Sequence, residues 1–159
     1  MVERADRVYL SSVLMLMFVL PIISILVEVA TTRGAVDLWN LVGRWFVFWA
    51  VGVRFVTAAI RQIVNPSFTA QEIFRIDSKE SHAVVRELGL ANLCMGLIGM
   101  LSFLVPQWCT AAALGGGLFL GLAGIQHILK KPVSPNEVIT VISDLLVFLI
   151  LAAYLVQTA

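Results

Sequence analysis

Apolar residues run almost unbroken through residues 9–29, 42–62, 84–105, 110–129 and 138–156, and polar residues gather mainly in the gaps between them. A helix of about 20 residues rises roughly 30 Å, the thickness of a bilayer's hydrocarbon core. The pattern therefore predicts an all-α polytopic bundle of five transmembrane spans, occupying residues 1–159 as one membrane domain. The first run follows Arg4 and Arg7, as a signal peptide would. It is too long for a typical h-region, and no A-x-A-like cleavage site follows it cleanly, so it reads as a retained span. The second run carries Arg44 and Arg54 and has the weakest hydropathy; without it the count falls to four.

The gap NPSFTAQEIFRIDSKESH, residues 65–82, behaves differently. Pro66 ends the second span, and Ser67 or Thr69 can cap a short helix with Gln71 or Glu72 reaching back. Phe68, Ile73, Phe74 and Ile76 are apolar, with Glu72, Arg75 and Asp77 among them, which suits a short helix lying on the cytoplasmic membrane surface or docking a partner.

Composition agrees with a membrane class, since 60% of the 159 residues are hydrophobic and only 13% are charged. Soluble domains carry about a quarter charged residues. The net charge of +1 gives no reason to expect nucleic acid. Charge placement does carry topology. With five spans, Arg4, Arg7, Arg61, Arg75, Lys79, Arg86, Lys130 and Lys131 fall on one side, and Arg33 and Arg44 on the other. The basic side is expected to be cytoplasmic. That puts the N-terminus inside and the C-terminus outside a cell (inner) membrane.

Polar residues inside the runs are costly in hydrocarbon and face the bundle interior or a wet cavity. Arg54, Asn92 and Asp144 lie six to eight residues from the cytoplasmic ends of their spans, at roughly matching depths of 9–12 Å. They are expected to meet as an intramembrane polar layer, with Arg54 paired to Asp144 and Glu28 as the rival carboxylate. Arg61, Gln62, Glu87, Gln126 and His127 form a second layer nearer the cytoplasm. Arg54, Ala58 and Arg61 share a helical face, as do Thr140 and Asp144. Such a layer either fixes helix register or conducts protons or holds a polar ligand.

Small residues predict where helices touch. Gly117 and Gly121 are spaced as a small-xxx-small pair, and Gly96 lies one turn beyond Asn92. The expected contact is between the third and fourth spans, as a tight antiparallel hairpin. The two histidines, His82 and His127, lack metal-ligand spacing, and Cys94 and Cys109 are too far apart along the helices to bridge. No phosphate loop, serine triad or zinc signature is present. No metal or cofactor is expected.

The runs RQIVNPSFTA and RELGLANL, within a likeness covering about residues 44–150, resemble an uncharacterised family of small bacterial integral membrane proteins. A looser similarity is to DoxX-like membrane proteins. The resemblance implies a helical membrane bundle with no established activity, and Arg54, Gln62, Glu87, Asn92 and His127 are among its matching residues. Two function classes follow. One is a non-enzymatic carrier of a small solute or proton, or an accessory subunit that forms a homo-oligomer or joins a larger membrane complex. The other is a membrane oxidoreductase or other enzyme acting on a lipid-soluble substrate such as a quinone, which DoxX-like kinship would imply.

Overall fold

A computed structural model describes residues 7–74, 76, 78–131 and 135–158 of the chain. Helix α1 covers residues 7–32 and contains a π-helical turn, Met15–Val19. Helix α2 (Leu38–Val64) contains a second, Val47–Val53. A short helix α3 (Pro66–Phe68) runs into a π turn, Thr69–Ile73. Helices α4 (Ser81–Leu101), α5 (Trp108–Leu129) and α6 (Pro135–Thr158) complete the chain. The five long helices are each long and apolar enough to cross a membrane, and the described residues include no strand.

The helix ends refine the expected limits for local reasons. Helix α2 begins four residues before the apolar run because Asp37 caps it, its carboxylate accepting the Asn40 amide at 3.0 Å. Helix α4 stops at Leu101, where Ser102 donates its hydroxyl to the Gly99 carbonyl at 2.7 Å. A series of short turns over residues 102–107 then reverses the chain. Helix α1 ends on Arg33 and Gly34, both left-handed at φ 52° and 74°, with the Gly34 amide bonded back to the Val29 carbonyl. The surface helix over residues 66–73 forms, but no side chain caps it. The Ser67 hydroxyl bonds Asn65 instead, and Thr69 is buried within the fold.

The helices run alternately up and down, and glycines decide which of them touch. On α4, Gly96 and Gly99 lie so close to the α2 backbone at Gly52 that a Cβ at either would stand 2.9 Å from a Gly52 backbone atom. On α5, a Cβ at Gly121 would stand 2.8 Å from the Phe148 ring of α6, and one at Gly117 would meet Leu151. The packing units are thus α2 with α4 and α5 with α6. This corrects the expected contact of the Gly117/Gly121 face with the third span. The glycine face meets bulky side chains on α6, while Gly96 is taken up by α2. The connection between α4 and α5 is short, yet the closest backbone approaches lie elsewhere.

The core is continuous at one end of the bundle, which we call the closed end. Val47, Val51, Ala113, Val147 and Leu151 are fully buried there, and the Tyr154 ring covers Gly43. Large apolar side chains such as Ile22, Leu26, Leu97, Leu118 and Leu149 point outward, as a lipid-facing surface requires. At the opposite, basic end lie Arg61, Lys79, Arg86, Lys130 and Lys131.

Candidate functional site

Between the α2–α4 pair and the α5–α6 pair the helices part toward the basic end, leaving a cavity of about 570 Å³. Phe55 of α2 and Phe119 of α5 meet over its inner limit, ring centroids 5.3 Å apart, and both line it. Beyond that aromatic contact the Val51 side chain occupies the space against Gly116, and the bundle is filled. The cavity is a vestibule with this aromatic contact as its floor.

One face of each helix supplies its lining. From α2 come Arg54, Ala58 and Arg61, the stripe that shares a helical face. The π-helical turn Val47–Val53 ends directly before Arg54. Such a turn holds one extra residue and rotates the rest of the helix by roughly 100°, so it sets which way this stripe points. From α5 come Phe119, Ala123, Gln126, His127 and Lys130, again at helical spacing. Asn92 of α4 and Thr140 and Asp144 of α6 complete the polar part. Phe68 and Thr69 of the surface helix also line it, with the Arg61 guanidinium carbon 4.8 Å from the Phe68 ring centre.

Of the sequence-predicted polar residues, Arg54, Asn92, Asp144, Arg61, Gln62, Gln126 and His127 all line this cavity. Glu87 does not; it is exposed on the outer face of α4. Asn92 donates its side-chain amide to Gln62 at 2.8 Å, a buried bond that joins α4 to α2 and links the two expected layers. The expected Arg54–Asp144 ion pair is not formed. An ion pair forms instead between Arg44 and Glu28, at 2.6 Å, and among the described residues no carboxylate comes within 4.0 Å of Arg54. The reason is geometric: both line the cavity, and α2 packs on α6 through its Leu38–Phe46 half rather than through the half that carries Arg54. Glu28, the rival partner, is occupied at the closed end, where it also accepts the Trp45 indole N–H at 2.7 Å.

Arg54 is therefore unusual. Its Nε is the one buried side-chain nitrogen or oxygen, among the described residues, with no hydrogen-bond partner. Buried donors are nearly always bonded, and a guanidinium stays protonated. Asp144 is only 5% exposed and holds a buried polar position in the same cavity.

A family model matches residues 11–159, nearly the whole chain. The chain belongs to the DUF6790 family. The function of DUF6790 is unknown. No characterised protein and no solved structure gives a significant match, so the DoxX-like similarity gains nothing from these comparisons. For this DUF6790 chain the geometry has to carry the functional reading.

Sequence reasoning missed the aromatic floor and the part played by Lys130, which reads along the chain only as a topology marker. The signal is present: Phe119, Ala123, His127 and Lys130 recur at three- and four-residue steps on α5. It is masked because Phe119 and Ala123 look like ordinary span residues until the facing helix is known.

Proposed function

We propose that the protein is a multi-pass carrier in the cell (inner) membrane that loads a small solute into this cavity from the cytoplasm. One observation carries the reading: a vestibule of about 570 Å³ ends on Arg54, whose buried Nε has no partner. Its volume lies within the range of small-molecule sites, and its lining is mostly apolar with a few convergent polar groups. A purely structural guanidinium would be expected to find a protein acceptor, as Arg44 does. The basic side chains at the vestibule end support a cytoplasmic mouth and an outside C-terminus. Closure of the other half by Val51 and Gly116 suits a carrier resting in one of its two access states. An oxidoreductase acting on a quinone has no comparable observation behind it.

Thiol accessibility tests the proposal. In a variant with Cys94 and Cys109 replaced by serine, a cysteine at Ala58 should react with a membrane-impermeant reagent from the cytoplasmic side. A cysteine at Val51 should react more slowly and from the other side, as the closed half opens. An Ala58→Cys variant unreactive from either side, or a Val51→Cys variant never reached from outside, would overturn the carrier reading.

A further inference from the structure

We infer that the solute is a single-chain amphipathic anion, with its carboxylate or phosphate head on Arg54 and its chain along the aromatic wall toward the lipid. The inference rests on reading the cavity as the loading site. Three observations carry it together: charge, wall and opening.

The charges favour an anion. Arg54, Arg61 and Lys130 line the cavity against one carboxylate, Asp144, with His127 also in the lining. Arg61 is engaged with the Phe68 ring, and Glu137 lies close enough to His127 to act on it electrostatically. Arg54 at the inner end is left with an unsatisfied donor. A planar guanidinium matches the two oxygens of a carboxylate or phosphate in a forked pair. A neutral ligand would leave the Arg54 donor unmet, and an ammonium would meet two or three positive charges to reach Asp144.

The wall favours a chain. Phe55, Phe119 and Leu120 line the same cavity as Arg54, and Leu16 of α1 and Leu88 of α4 continue the apolar lining. A small hydrophilic anion would satisfy Arg54 and leave that surface wet. Each methylene buried against it contributes about 0.8 kcal/mol.

The opening favours entry from the bilayer. Phe119 is 37% exposed and Leu122 is 64% exposed, yet both line the cavity. They lie 10 and 7 residues before the end of α5 at Leu129, roughly 10–15 Å into the span. Thr57, also exposed, lines it from α2. The cavity wall therefore reaches the lipid-facing surface between α2 and α5 within the membrane's thickness. An amphiphile can keep its chain in lipid while its head slides inward to Arg54.

The test is calorimetric titration of the full chain in neutral phosphatidylcholine nanodiscs, with empty discs subtracted. The probes are dodecanoate, dodecyl phosphate, dodecanol and butyrate. The stronger of the two charged amphiphiles should saturate at least tenfold more tightly than dodecanol or butyrate, and its identity names the head group. Arg54→Gln should erase that preference, and Asp144→Asn should strengthen binding severalfold by removing the opposing carboxylate. Should Arg54→Gln not fold, Arg54→Lys keeps the charge without the fork and should weaken binding severalfold. Equal binding of dodecanol or butyrate, no saturable binding of either charged amphiphile, or a preference untouched at Arg54 would overturn the inference. If the Ala58 cysteine is still reached from the cytoplasm in that event, the ligand class fails and the carrier reading stands. If it is unreactive, both fail.

Discussion

Arg44 and Arg54 stand on the same helix, ten residues apart, in opposite surroundings. Arg44 lies at the closed end and donates to Glu28 of α1 at 2.6 Å, while the neighbouring Trp45 indole occupies the other carboxylate oxygen. Trp49 extends the same seam by donating to Ser24 at 3.1 Å. Phe48 and Phe103 stack around these indoles with ring centroids 5.0 to 6.2 Å apart. Arg54 has no such neighbours; its Nε is buried and unbonded beside a cavity. The same side chain on one helix is thus a strut at one end and an unmet donor at the other. What separates them is backbone packing. At the closed end α1 and α2 pack directly on each other and bring complementary groups together, while toward the basic end the two helix pairs part and their polar groups face open space.

The sharpest way to break this contrast is to disturb the closed end. Gly99→Leu should destabilise the protein by about 3 kcal/mol, at the upper end of overpacking costs, because the Gly52 backbone cannot move aside as a side chain would. Unfolding titrations in mixed detergent would measure it. Next in size is Glu28→Ala, which leaves both Arg44 and Trp45 without their acceptor. A loss of about 2 kcal/mol is expected, moderated because the Arg44 side chain is 41% exposed. The same titration checks it, and restoration of stability by adding Arg44→Leu would confirm that the ion pair is the cause.

Substitutions at the vestibule should matter less for stability. Asn92→Leu removes the bond to Gln62 and should cost about 0.6 kcal/mol, the average for interhelical hydrogen bonds in membranes. Arg54→Gln sharpens the comparison most, because its expected effect on stability is the smallest, within about 0.5 kcal/mol of zero. A group with an unmet donor contributes little to the fold, and removing it is close to neutral. A loss at Arg54 as large as that at Glu28 would show that the two arginines are alike after all.

Much of the architecture was legible in the chain. Five runs of apolar residues gave five helices, and the expected and observed ends differ by a few residues at sites such as Asp37 and Ser102, where a single hydrogen bond decides. The polar residues of the candidate site were legible too, because an ionisable group within an apolar run has few tolerable destinations. Seven of the eight named for the two layers line the cavity. Glu87 shows the limit of that reasoning: near a helix end, depth alone cannot tell an inward face from an outward one, and Glu87 is exposed.

Pairing was not legible. Depth matched Arg54 to Asp144, but whether two helices at the same depth touch depends on side-chain volumes along their whole facing stripes. Gly121 had no preference written into it for α4 or α6; the Phe148 ring filled the space opposite, and α4 spent its glycines on α2. The sequence by itself determined the number of helices, their apolar surfaces and the polar residues they carry inward, because each follows from local composition and period. Only the tertiary structure decided which helices pack and which part, and hence that Arg44 meets a carboxylate while Arg54 meets a cavity. Close packing is a property of two surfaces together, and neither surface specifies it alone.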